Sequence, residues 1–113
     1  MKKVLLVLAL LVCSISLGQS LNSNSKSLKE NNLKEFRKIE LLVQNRWKQS
    51  EPIYNIMINA QVDARVEVAN IMRGDLTSSQ LRKVNAYMDL SDKVVGGVTV
   101  YNWVLLNTFM RRL

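Results

Sequence analysis

The chain has 113 residues, with 16 Lys and Arg against 9 Asp and Glu, a net charge of +7. It holds no His and a single Cys, Cys13. These absences remove the usual zinc ligands, Cys–His nucleophiles and Ser-His-Asp triads, so a non-catalytic protein without a cofactor is expected.

The front reads as an export signal. Lys2 and Lys3 supply a basic start, Val4 to Val12 an apolar run, and Ser16-Leu17-Gly18 a small-x-small cleavage pattern. The apolar run is short for a bilayer span. Lipid attachment at Cys13 would want a small residue before it, and Val12 stands there. Cleavage after Gly18 leaves residues 19–113, one domain's length, with no Cys and a net charge of +5. The expected location is periplasmic or secreted. For an exported basic chain, nucleic acid is an unsuitable partner; anionic membrane surface, cell-wall polymer or acidic protein surface suits the charge, which also serves solubility.

Residues 19–26 are polar, rich in Ser and Asn and without period, which predicts a flexible lead-in. From Ser27 to Gln49 the period becomes helical: Leu33, Phe36, Ile39, Val43 and Trp47 recur at three- and four-residue steps, with Leu42 widening the stripe. Glu30 stands four before Lys34, suited to a helical ion pair, and Arg46 and Lys48 would fall in the last turn. Pro52 then suits the start of a new helix, with Ser50 as its cap.

Residues 53–72 support two readings. At period two, Ile56, Ile58, Ala60, Val62, Ala64, Val66 and Val68 alternate with polar residues, a strand signal. At helical steps, Ile53, Met57, Ala60, Ala64, Val68 and Ile71 form a stripe from which Val62 and Val66 fall away. The alternation is too long for an ordinary strand of about five to six residues and has no turn residue, which favours helix.

The stretch Arg73 to Gln80 reads as a helix end followed by a helix start. Gly74 suits a stop requiring positive φ, and Thr77-x-x-Gln80 has the spacing of a capping box. Arg73-Gly74-Asp75 also spells a cell-adhesion tripeptide, but each residue has a structural use at such a corner. A further helix is predicted from Ser78 to Asp92, with Leu81, Val84 and Met88 on one face. Gly96-Gly97 breaks the chain. The segment 98–110 is apolar but dotted with Thr and Asn, and ends in Arg111-Arg112-Leu113. It suits a buried helix or strand, packed on 53–72 over Val62 and Val66, or an amphipathic surface segment.

The fold class expected is mainly α, a small helical hairpin or bundle over 27–113. The alternative is α+β, with strands near 54–68 and 98–106. No Gly-rich phosphate loop and no Asp-rich cation loop is visible. Residues for partner contact are Trp47, Met57, Met88, Trp103, Arg111 and Arg112.

Leu76-Thr77-Ser78-Ser79-Gln80 has the form Leu-Thr-x-x-Gln. It resembles the motif of the Spy/CpxP-like group of small, basic, helical periplasmic proteins. That resemblance implies a bent helical hairpin, commonly paired as a homodimer into a cradle, that holds client proteins or senses envelope stress. Carried residue by residue, it covers Leu76, Thr77 and Gln80, which with Gly74 shape the corner and perform no chemistry. The motif occurs once here, and the apolar tail lies outside the family pattern. Two functions stay open: a client- or partner-binding helical protein of the envelope, and a membrane-surface protein using 98–113. A non-catalytic subunit that completes its core by dimerising is a third.

Overall fold

Asn32 divides what the periodicity predicts as one long helix. Its backbone (φ −148°, ψ 70°) leaves the helical region, its N–H closes the preceding helix on the Leu28 carbonyl, and its side chain accepts from the Glu35 N–H to open the next. The computed structural model describes residues 20–113; the expected signal at 1–18, with Cys13, lies outside them. The described part is mainly helical, as expected. In chain order it comprises α1 (Ser23–Asn31), α2 (Leu33–Gln44), α3 (Ile53–Met72), α4 (Ser78–Ser91), β1 (Asp92–Val95), β2 (Val98–Tyr101) and α5 (Trp103–Met110).

The polar lead-in expected over 19–26 is built into the fold. Asn22 caps α1, accepting from the Ser25 N–H at 2.9 Å. Asn59, buried on α3, accepts at 2.9 Å from the Asn22 N–H and at 2.8 Å from the buried Ser25 hydroxyl, and donates to the Ser20 carbonyl. Asn22 also donates to both carboxylate oxygens of Asp63 at 3.1 Å. These hydrogen bonds dock the segment together with Leu21 and Leu28, which pack on the first core.

The break at Asn32 also removes the expected Glu30–Lys34 pair. The ion pairs on α2 are Lys38–Glu35 at 3.2 Å and Arg37–Glu40 at 2.7 Å. Because α2 ends at Gln44, Arg46 and Lys48 lie past its last turn. Pro52 itself occupies the cap position of α3, with no side-chain cap bond, so Ser50 has no capping role.

Phe36, Ile39 and Val43 of α2 meet Tyr54, Ile58 and Val62 of α3 in one apolar core, with Trp47 and Met57 against it. Leu33, assigned to this stripe, is exposed. Within the core, the Tyr54 hydroxyl donates to Glu40 at 3.2 Å and accepts from Gln44. Burial foremost, with the Glu40 charge beside it, raises the Tyr54 pKa above its ordinary value.

The strand alternative for 54–68 is excluded: α3 is one helix of 20 residues. Its alternation arises because the helix serves two cores. Ile58 and Val62 enter the first, Val68 enters a second, and Val66 remains exposed. The strands lie instead at 92–95 and 98–101, and 103–110 is helical where a strand to 106 was the alternative. Gly96 (φ 56°) and Gly97 (φ 79°) form the two-residue turn that pairs Val95 with Val98. Positive φ at both central residues gives a turn whose twist matches the strands.

At the corner after α3 the capping box is present: the Gln80 N–H donates to the Thr77 hydroxyl at 3.1 Å, and the Thr77 N–H to the Gln80 side chain at 2.9 Å. Gly74 departs from expectation, for its φ is not positive. Its N–H bonds the Ile71 carbonyl at 3.1 Å, and a Cβ there would stand 3.3 Å from that oxygen. A close backbone approach, not a left-handed turn, accounts for glycine.

The second core joins Val68 of α3, Val84 of α4, and Leu106 and Met110 of α5. The tail thus packs on α3 as expected, and its Trp103 also rests on the first core, which holds Val62, but Val66 stays exposed. Val62 is covered by α2, and Leu81 of α4 is left exposed.

Candidate partner-binding surface

The six residues assigned to partner contact separate into three places. Trp47 and Met57 line an open groove of about 490 Å³ between the end of α2, α3 and the junction of α4 with the hairpin. Leu42, Leu90 and Leu105 add apolar wall; Arg46 and Lys93 add positive charge, and Asp92 one carboxylate, for a net charge of +1. Trp47 is half-buried, its indole resting on the first core while the Arg46 guanidinium stands 5.8 Å from its ring centroid. Leu90 (66% exposed) and Leu105 (38%) leave apolar surface open at the groove. Such surface, with an aromatic anchor and a cationic border, is suited to an apolar segment carrying acidic flanks.

Gln61 holds this groove in shape. Its buried amide donates to the Asn102 side chain at 3.0 Å and accepts from the Trp103 N–H at 2.7 Å. Asn102 in turn caps α5 by accepting from the Leu105 N–H at 3.2 Å. One side-chain amide therefore ties the middle of α3 to the start of α5 and positions Leu105 at the groove.

Met88 and Trp103 lie together elsewhere, in a smaller cleft of about 230 Å³ between α3, α4 and α5. Val68, Met72 and Val84 continue its wall, and Arg65 is its one charged lining residue. The Arg65 guanidinium stands 5.6 Å from the Trp103 ring centroid, within cation–π range.

Arg111 is engaged internally. It pairs with Glu67 at 2.8 Å, and Asn107 donates to the same carboxylate oxygen. These two donors, Arg111 first, hold the Glu67 pKa below its ordinary value. Arg112 is exposed. Gly74, Leu76, Thr77 and Gln80 form the corner, with Leu76 packed on the second core, and line neither groove nor cleft.

Among the described residues no cluster of His, Cys, Asp and Glu could hold a metal ion, and no helix is long and apolar enough to cross a membrane. The sequence reading missed Gln61, Arg65, Leu90, Lys93 and Leu105. Leu90 and Leu105 sit in segments that mix buried and exposed apolar residues, Val84 against Leu81 and Leu106 against Val104, which the sequence does not tell apart. Gln61 and Arg65 occupy the polar phase of the α3 alternation, which reads as solvent-facing. Comparison with family models, with curated proteins and with solved structures finds no match to this chain.

Proposed function

We propose that this chain is an exported, non-catalytic binding protein that takes apolar segments of client or envelope proteins into the groove beside Trp47. The single observation carrying this reading is that groove: Trp47, Met57, Leu90 and Leu105 at its wall, with Arg46 and Lys93 beside them. Export is supported by the basic start, apolar run and small-x-small pattern of residues 1–18. The Leu76-Thr77-x-x-Gln80 corner, shared in form with the Spy/CpxP-like proteins, is consistent with a chaperone- or stress-sensor-like role.

The membrane-surface alternative receives less support. Leu106 and Met110 are buried, Phe109 stacks on Tyr87 with centroids 5.2 Å apart, and Arg111 is paired with Glu67. Most of the tail's apolar surface is thus used within the fold.

The test is suppression of client aggregation by the exported form, followed by light scattering. Leu90→Glu with Leu105→Glu places negative charge at the groove without removing a fully buried side chain. A folded double variant should bind client about tenfold more weakly, or about 1.4 kcal/mol. A parent chain that leaves client aggregation unchanged, or a double variant as active as the parent, would defeat the proposal.

A further inference from the structure

Arg65 lies on α3 between two carboxylates that turn elsewhere. Asp63 accepts from Asn22 and Asn24, and Glu67 from Asn107 and Arg111. None of the ion pairs among the described residues includes Arg65, and its buried Nε has no hydrogen-bond partner there. Instead the guanidinium stands over Trp103 at the mouth of an otherwise apolar cleft. Its charge is without a carboxylate partner, and the terminal N–H groups of a guanidinium match a carboxylate through two parallel N–H···O bonds.

We propose that the cleft between α3, α4 and α5 binds a single-chain alkyl carboxylate, with its head on Arg65 and its chain along Val68, Met72, Val84 and Met88. One negative charge matches the single cation lining the cleft; a dianionic head would leave a charge uncompensated. The length of the chain follows from the volume. A cavity of about 150 Å³ holds benzene's six carbons, so about 230 Å³ accommodates about nine. The two Met side chains adapt to chains of slightly different length, because the unbranched thioether fills irregular gaps. This inference is independent of the protein-binding groove, which has a different lining.

Titration calorimetry of the full chain with decanoate, below its micelle concentration, tests the proposal. Decanoate should bind saturably at one site per chain. Decanol, decyltrimethylammonium and anionic phospholipid vesicles should bind at least about tenfold more weakly, or not at all. Arg65→Gln should weaken decanoate at least about tenfold while leaving decanol unchanged. Ala69→Leu, which narrows the cleft with Arg65 intact, should abolish decanoate binding and decides the matter if Arg65→Gln does not fold. Equal binding of decanol and decanoate would overturn the proposal. So would full binding by the Ala69 variant, stronger binding to vesicles than to decanoate, or a dimer whose formation excludes decanoate.

Discussion

Glu67 accepts from Arg111 and Asn107 on one carboxylate oxygen, and its pKa is lowered as a result. The sign of the pH effect follows. The folded chain keeps Glu67 ionised where the unfolded chain, with a Glu pKa of about 4.3, already takes up a proton. Its contribution is complete above that unfolded value and is lost as pH falls through the lowered one. Urea denaturation from about pH 7 down to 3 should show a shallower acid loss for Glu67→Gln than for the parent. Single residues at the turns differ in how legible they are. The Thr77-x-x-Gln80 spacing announces its capping box, and Thr77→Ala should cost about 0.5–2 kcal/mol in equilibrium denaturation. Glycine is ambiguous, because the same residue serves positive φ and close approach. Gly97, at φ 79°, should lose about 1–2 kcal/mol on replacement by Ala, and Gly74, whose φ is ordinary, should lose less. The same denaturation series checks the order, and a larger loss at position 74 contradicts it.

Whole elements were legible where the buried residues fall on a single apolar stripe. The Phe36, Ile39 and Val43 spacing names the buried face of α2, and Val84 that of α4. Legibility failed where one helix contributes to two separate cores. On α3 the Ile58–Val62 pair faces α2 while Val68 faces α4 and α5, so the summed pattern imitates a strand. It failed again where polar contacts share in holding an element, as at α1, whose docking through Asn22, Ser25 and Asn59 is joined by only two apolar residues, Leu21 and Leu28. The hairpin was half legible: Gly96-Gly97 marks the break, but strands of 4 residues are too short for a period-two pattern to stand out. Of the partner surface, the aromatic and Met residues were named, while the amide that shapes it and the Leu residues that widen it were not. The weight of α5 can be measured directly. Leu106 is 1% exposed at the centre of the second core, and Leu106→Ala should cost about 2–5 kcal/mol by thermal or urea unfolding. A loss under about 0.5 kcal/mol would mean that α5 is not seated as described.

At the scale of the molecule, two cores share one helix, with α2 closing the first on α3 and α5 closing the second. Burying an aliphatic or Met side chain contributes about 1.5–3 kcal/mol against a net stability of about 5–15 kcal/mol for a domain. Leu106 and Met110 together therefore carry a large share of it. Removing residues 102–113 should abolish the cooperative melt followed by circular dichroism, and retention of a sharp transition would show that α1–α3 fold without the tail. The amide of Gln61 adds a consequence in time. Its partner, the Trp103 N–H, lies 42 residues further along the chain. At a synthesis rate of about 5–20 residues per second, the interval between them is about 2–8 s. Through that interval the nascent chain carries α3 with the α5 side of its second core open and the Gln61 amide bonded to water in place of the Trp103 N–H. Folding of this half is therefore held back until synthesis has passed Trp103.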